Sequence, residues 1–251
     1  MTEIDLNCDM GEAADGSVES DVALMDFVSS VNIACGYHAG TEAMMRALVG
    51  EAKKRKKAIG AHPSLRDREG FGRRVLEVTP AEVFAAVTEQ IKILRRIAEA
   101  QGTELHHVKP HGALYNMAAR DRALADAIAD GVFQQGPGLL LVGLSGSELI
   151  GRAAAKGLRT AAEVFCDRRY EADGSLVDRS KPRALIEDRA EAVGQVLEML
   201  HFQRVTSVDG IEVPVEAQTV CIHGDGPNAL EFASSVHHAL LKERIKIRAV
   251  T

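Results

Sequence analysis

Seven short apolar segments, centred on Ile4, Val31, Ile59, Val108, Leu141, Ala162 and Cys221, each run into a polar loop before the chain returns to helical periodicity. Strand, loop and helix repeated in this way imply parallel strands, because an intervening helix carries the chain back to the same end of the sheet. The chain has 251 residues and no GxGxxG turn, so a closed barrel is expected rather than an open dinucleotide-binding sheet. Seven strands predict an irregular (β/α) barrel. With 46% hydrophobic residues the chain can bury one large core, and a single domain over 1–251 is expected. Thr79-Pro80-Ala81-Glu82 marks a firm helix start, with a Thr cap, Pro in the first turn and Glu reaching back. Asp209-Gly210 predicts the turn of an inserted β-hairpin over 205–215. The connection 165–183 is long for a compact domain, so a mobile lid is expected there, bringing Asp167 and Arg168 to the site only with substrate or nucleotide.

Barrel topology gives the polar strand ends their meaning. The C-terminal ends of parallel barrel strands converge on one mouth, where Asp9, His38, His62, Lys109, His111, Glu163, Asp167, His223 and Asp225 would form a ring. The opening stretch Asp5-Leu6-Asn7-Cys8-Asp9-Met10-Gly11-Glu12 alternates as a strand does and ends rich in carboxylates. Such groups share a cation, raise one another's pKa, or bond their own backbone in a turn. Asp9, His38 and His62 end the first three strands and form the expected metal set, for Mg²⁺, Mn²⁺ or Zn²⁺. His106, His107, His201, His237 and His238 lie within strands or helices and are read as structural.

Lys109 and His111, two apart on an extended strand, point to the same face. Lys109 is expected to anchor a carboxylate or phosphate and His111 to move a proton. The arginines of two loops, among them Arg66, Arg68, Arg73, Arg74 and Arg168, either clamp an anionic substrate or form surface ion pairs. Neither a Walker sequence nor a GxSxG elbow is present. A net charge of -6 with interleaved signs argues against nucleic-acid partners. The start of the chain has no basic and apolar leader pattern, and no apolar run reaches membrane-spanning length, so a cytoplasmic protein without membrane contact is expected. Cys8, Cys35, Cys166 and Cys221 are scattered without a CxxC pair and should be free thiols.

Several stretches together resemble the LamB/YcsF family: 5–12, Asn32-Ile33-Ala34-Cys35-Gly36-Tyr37-His38-Ala39-Gly40, Gly60-Ala61-His62-Pro63-Ser64, Gly70-Phe71-Gly72-Arg73-Arg74, 108–116, Asp167-Arg168-Arg169-Tyr170 and His223-Gly224-Asp225. The chain departs from the family pattern at Thr41-Glu42, Cys166 and Asp178. The resemblance implies a barrel like that of the polysaccharide deacetylases, a superfamily that places an Asp and histidines on a metal. It also implies ATP-dependent opening of 5-oxo-L-proline to L-glutamate, with release of ADP and phosphate, in a complex with 5-oxoprolinase subunits B and C.

Asp9, Lys109, His111, Asp167, His223 and Asp225, within the matched stretches, and Glu163, a strand-end residue outside them, are the expected catalytic groups. Asn7, Glu12, Asn32, Arg73, Arg74, Tyr115, Asn116 and Arg168 are expected to bind substrate or ATP. Two other readings remain: a metal-dependent carbohydrate deacetylase or amidase acting alone, and a non-catalytic subunit that binds lactam.

Overall fold

The structure, a computed structural model, describes residues 3–223 and 229–251, so Asp225 lies outside the described residues. The strands are β1 (Glu3–Met10), β2 (Ser30–Ala34), β3 (Ala58–His62), β4 (His107–Val108), β5 (Leu140–Leu144) and β6 (Arg159–Phe165). They continue with β7 (Arg204–Thr206), β8 (Glu212–Pro214), β9 (Thr219–Ile222) and β10 (Lys246–Ile247). Helices α1 (Glu19–Leu24), α2 (Glu42–Lys54), α3 (Pro80–Ala100) and α4 (Gly112–Ala118) occupy the first half. The second half holds α5 (Arg122–Gln135), α6 (Glu148–Ala155), α7 (Arg189–Phe202) and α8 (Ala229–Lys242).

Strands β1-β2-β3-β4-β5-β6-β9 pair in that order, and β9 returns to β1, closing a seven-stranded parallel barrel. The irregular barrel expected from the strand count is thus the fold. Strands β7 and β8 pair antiparallel as a separate ribbon, with Gly210 at φ +77 in its turn. The short β10 was not foreseen; it runs parallel to β1 at its first residues, with Glu3 opposite Lys246. No described helix is long and apolar enough to cross a membrane.

Strand alternation sorts β1 into two faces. Ile4, Leu6, Cys8 and Met10 join the apolar layer packed under the helices. Asp5, Asn7 and Asp9 face the barrel axis, where Ser30, Thr219, Asn32, Glu163 and Lys109 meet them. This side of the interior is therefore polar, with its groups paired with one another as burial requires, while Leu140, Val142 and Ala161 of β5 and β6 form a separate apolar cluster.

Strand β4 is shorter than its sequence pattern, yet its edge toward β3 continues past its end. Lys109 N donates to Ala61 O at 2.9 Å and His111 N to Pro63 O at 2.8 Å. This register sets His111 beside His62. Helix α4, also unforeseen, starts directly after His111, and Ala113 N donates to Gly72 O at 2.8 Å. A side chain at Gly112, φ +56, would run into Gly72 O, so the close approach of the two loops needs a glycine there.

Candidate active site

Three imidazoles and one carboxylate meet at the C-terminal mouth. His38 follows β2, His62 ends β3, His111 follows β4, and Glu12 enters from the turn after β1. His38 and His111 stack with centroids 3.8 Å apart and planes within 4°, while His62 meets both edge-on. Glu12 Oε1 lies 3.0 Å from His38 Nε2, 3.3 Å from His111 Nδ1 and 3.7 Å from His62 Nε2. The loop bearing Phe71 and Gly72 caps the cluster: Gly72, φ +66, leaves no room for a side chain against His38 and His111.

The outer nitrogens decide what the inner ones can do. His62 Nδ1 is 2.7 Å from Lys109 O, and His111 Nε2 is 2.9 Å from Phe71 O. A carbonyl only accepts, so both nitrogens carry hydrogen. His38 Nδ1 is 2.9 Å from Ser64 Oγ, whose own hydrogen goes to Leu65 O, so His38 Nδ1 donates as well. Each neutral ring therefore turns a lone pair inward, and His62 Nε2 and His111 Nδ1 face each other at 3.0 Å. Three lone pairs and a carboxylate oxygen in mutual contact repel unless they share a cation. Outer partners that orient ligand imidazoles in this way are the usual surroundings of a metal site.

Asp9 belongs to an adjoining cluster. Lys109 Nζ donates to Asp9 Oδ1 at 2.9 Å and Asn7 Oδ1 at 3.3 Å, and it lies 3.1 Å from Glu163 Oε1 and 3.0 Å from Cys221 Sγ. Tyr115 OH donates to Glu163 Oε2 at 2.7 Å. Asp9 reaches the histidines only through Oδ2, 3.3 Å from His62 Nε2. Of the expected metal set Asp9, His38 and His62, the structure thus gathers the two histidines, with His111 and Glu12 filling the places beside them. Asp9 instead pairs with an ammonium. A second group of donor atoms, from Asp9, Cys221 and His223, also falls within metal-binding reach, but Lys109 Nζ already contacts two of the three residues.

Burial opposes the charge on Asp9, yet His62 and Lys109 outweigh it and hold the carboxyl well below the ordinary range. Burial likewise opposes the Lys109 charge, and Asp9 overcomes it, keeping the ammonium well above its usual value. Burial and the neighbouring His62 push His38 well below the imidazole range, and burial with His38 does the same to His111. His62 goes the other way: burial lowers it, but Asp9 more than compensates.

On the other wall, His223 Nδ1 donates to Asp167, 2.9 and 2.8 Å from its two oxygens, and the ring stacks on Phe165 at 5.5 Å. Asp167 is held at the site by this contact. The base of 165–183 is pinned: Phe165 N donates to Tyr170 OH, Gln195 Nε2 donates to Phe165 O, and bridges join Arg168 to Leu185 and Tyr170 to Leu176. Residues 178–181 line the cavity.

The cavity over these groups measures about 700 Å³, and Asp9, Glu12, His62, Lys109, His111 and His223 reach its wall. Tyr115, Asn116, Arg73 and Arg168 line it too. Arg168 is 4% exposed, donates to Val177 O, and has a buried Nε without a hydrogen-bond partner; burial, aided by Arg179, lowers its pKa to about 10. Arg74 is absent from the wall and pairs with Asp67, which staples its own loop. Arg66 lies over the Tyr37 ring, and Arg68 donates to Gly36 O and Gly40 O. Asn7, Asn32 and Glu163 sit behind the wall, buried and fully engaged, rather than facing a ligand. Lys109 and His111 point into adjoining clusters rather than at each other. Cys221, not foreseen at the site, was marked only by alternation with Thr219 and His223.

The lowered imidazole pKa values imply acid sensitivity. His38, His107 and His111 have lowered folded pKa values, so the unfolded chain binds more protons once pH falls below about 6.5, the ordinary histidine value. His62 contributes the opposite sign, as do the buried Asp5 carboxyl and Asp21, which burial raises to about 6. Stability of the metal-free chain is therefore expected to fall with pH from about 6.5 downward, each unbalanced proton contributing up to about 1.4 kcal/mol per pH unit. Denaturant midpoints between pH 8 and 5 check this, and a flat profile would refute it.

Fold and site together define a (β/α)-barrel protein with a histidine–carboxylate centre at its C-terminal mouth. The chain belongs to the LamB/YcsF family, whose profile matches residues 4–251. A protein from Geobacillus kaustophilus, named as the A component of 5-oxoprolinase, is 53% identical over 99% of this chain and 97% of its own. One of the same name from Tolumonas auensis is 51% identical over 100% of both chains. The crystal structure of the lactam utilization protein from Thermus thermophilus superposes with a TM-score of 0.92 at 43% identity, covering 99% of this chain and 100% of that one.

Proposed function

We propose that this chain is the A component of an ATP-dependent 5-oxoprolinase and that its barrel mouth opens the lactam ring of 5-oxo-L-proline to give L-glutamate. The observation that carries this reading is the convergence of the Glu12, His38, His62 and His111 cluster, the Asp9–Lys109 pair and the His223–Asp167 dyad on one cavity, in a chain about half identical to proteins of that name. A five-membered lactam is a stabilised amide, so coupling to ATP is chemically sensible. Phosphorylation of the amide oxygen makes the ring carbon an electrophile for water; the carbon–nitrogen bond then breaks with protonation of nitrogen to leave an acyl phosphate, which a second water hydrolyses to the free carboxylate and phosphate. The sequence carries no Walker phosphate-binding motif, and we assign delivery of ATP to the complex with the B and C components.

His38, His62, His111 and Glu12 are the residues that would hold a divalent ion, with Asp9 beside them. Three imidazole donors suit Zn²⁺ or Mn²⁺ better than Mg²⁺, which prefers oxygen ligands. A bound ion supplies Lewis acidity toward water and the lactam carbonyl. His223, oriented by Asp167, presents its other nitrogen to the cavity and gives a proton to the departing lactam nitrogen. Arg73 and Arg168 face the substrate carboxylate or the transferred phosphoryl group. Lys109 keeps Asp9 ionised at the edge of the metal cluster.

Ring opening and ATP hydrolysis should be measured with the purified chain alone and with its two partner components, each with 5-oxoproline added. Stimulated ATP hydrolysis with glutamate formation only in the mixture is expected. Deacetylation or ring opening by the lone chain without ATP would replace this reading with that of a free-standing amidase. Full activity of the mixture with a His223→Ala, Lys109→Met double variant would leave a lactam-binding subunit.

A further inference from the structure

Asp9, Asn32, Gly60 and His107 occupy one row across four neighbouring strands: Asp9 lies opposite Asn32, Asn32 opposite Gly60, and Gly60 opposite His107. The glycine leaves a gap in the row. A side chain there would overlap the His107 ring, which lies across β3 and brings Nε2 to 2.7 Å from Asn32 Oδ1. His107 is 2% exposed and forms no part of the cavity wall, so substrate does not reach it.

The hydrogen bonds along this row have only one consistent direction. Asn32 Nδ2 donates to Asp9 Oδ1 and to Asn7 Oδ1, both at 2.8 Å. A flipped amide would set its oxygen against the Asp9 carboxylate, so Oδ1 must face His107, and His107 Nε2 must donate. Asn7 is fixed in turn: its Oδ1 accepts from Asn32 and Lys109, and its Nδ2 donates to Glu163 Oε1 at 2.9 Å and Thr219 Oγ1 at 2.7 Å. One imidazole N–H thus satisfies the free oxygen of Asn32 and closes a chain of two linked carboxamides that touch Asp9, Lys109 and Glu163.

We infer that His107 is a positioning residue: reaching through the gap at Gly60, it locks Asn32 and through it Asn7, and so holds Asp9, Lys109 and Glu163 in register beneath the cavity. A buried histidine that merely filled space would need neither the glycine opposite nor an amide acceptor. The inference rests on the proposed function only in taking Asp9 and Lys109 as part of the working site.

A double-mutant cycle tests it in two ways. In the purified chain, unfolding stability is measured for His107→Leu, Asn32→Ala and the pair; in the complete complex, kcat and KM for 5-oxoproline are measured for the same set. His107→Leu is expected to lower kcat roughly 10- to 100-fold, the usual cost of losing an outer-shell partner, with KM within about threefold of wild type. In the Asn32→Ala background the same substitution should change kcat by less than about threefold, because its route to Asp9 is already cut. His107→Gln, which keeps an N–H donor on a side chain of similar reach, should recover most of kcat. Gly60→Ala, which displaces the ring without removing it, should reproduce the kcat loss.

Equal and multiplicative kcat losses in both backgrounds, or a His107→Gln no better than His107→Leu, would overturn the inference. If His107→Leu does not fold, Gly60→Ala and His107→Gln still decide it. A wild-type complex inactive on 5-oxoproline would count against the proposed function alone, and the positioning role would then stand or fall on non-additive stability in the purified chain.

Discussion

Lys109→Met is expected to destabilise the chain by about 3–5 kcal/mol, the usual cost of removing one partner from a buried ion pair. The ammonium is the shared partner of Asp9 and Glu163, and its side chain is only 3% exposed. Methionine replaces the stem but not the terminal ammonium, and leaves the Asp9 and Glu163 carboxylates without their shared cation. One of them must then take up a proton, and its pKa rises above the value in the unfolded chain. The sign of the pH effect follows: a group with a raised folded pKa adds stability as pH falls toward the unfolded carboxylate range, so the deficit should shrink with acidification. Adding Asp9→Asn to Lys109→Met should restore part of the loss. Chemical denaturation at pH 8 and pH 5 measures both. A substrate anchor would behave otherwise, raising KM while leaving stability alone, and that outcome would return Lys109 to the role its sequence position suggests.

The second large effect concerns metal. One Zn²⁺ or Mn²⁺ per chain is expected, measured by competition with a chromophoric chelator. His62→Ala, His111→Ala and Glu12→Gln should each weaken binding by more than the roughly 10- to 100-fold that loss of an outer partner costs. Ser64→Ala, which removes the partner of His38 Nδ1, should fall within that smaller range. Asp9→Ala should bind metal more nearly as wild type does, since only one of its oxygens approaches a single histidine. Loss of metal in Asp9→Ala but not in Glu12→Gln would move the site to Asp9, His38 and His62. Wild-type affinity in all five variants would mean that the cluster holds a proton and no metal.

The barrel could be read from periodicity because each strand carries its own apolar pattern and each helix its own start signal. Thr79 and Glu82 form the reciprocal cap their spacing announced, and Ser147 caps α6. The convergence of His38, His62, His111 and His223 could be read because barrel topology alone brings strand ends together. What could not be read was which neighbour each group chooses, since that depends on register. Glu12 reaches the imidazoles because the chain turns at Gly11, φ +78, whose N–H donates to Asp21. Nothing local in the sequence distinguishes Glu12 from Asp9 in that respect. Arg73 and Arg74 are adjacent, yet one faces the cavity and the other is claimed by Asp67. His107 looked like an ordinary strand residue until Gly60 proved to lie beside it.

The closure of β9 onto β1 governs the order in which the molecule can be made. Asp9 waits for Lys109, 100 residues later; Asn7 waits for Glu163, 156 residues later, and for Thr219, 212 residues later. Contacts this distant carry a large loop-closure cost before they return anything, which slows folding. On the ribosome the first strand therefore emerges with Ser30 and Asn32 of β2 as early partners of its row Asp5, Asn7 and Asp9, but without Lys109, Glu163 or Thr219, and it keeps an open edge until almost the whole chain has been synthesised. A nascent or clipped chain that stops before Thr219 exposes that edge on β1 and a matching one on β6, both ready to pair with a second molecule. The machinery of the mouth is complete only when the last barrel strand arrives, so unfinished chains face aggregation before they acquire any activity.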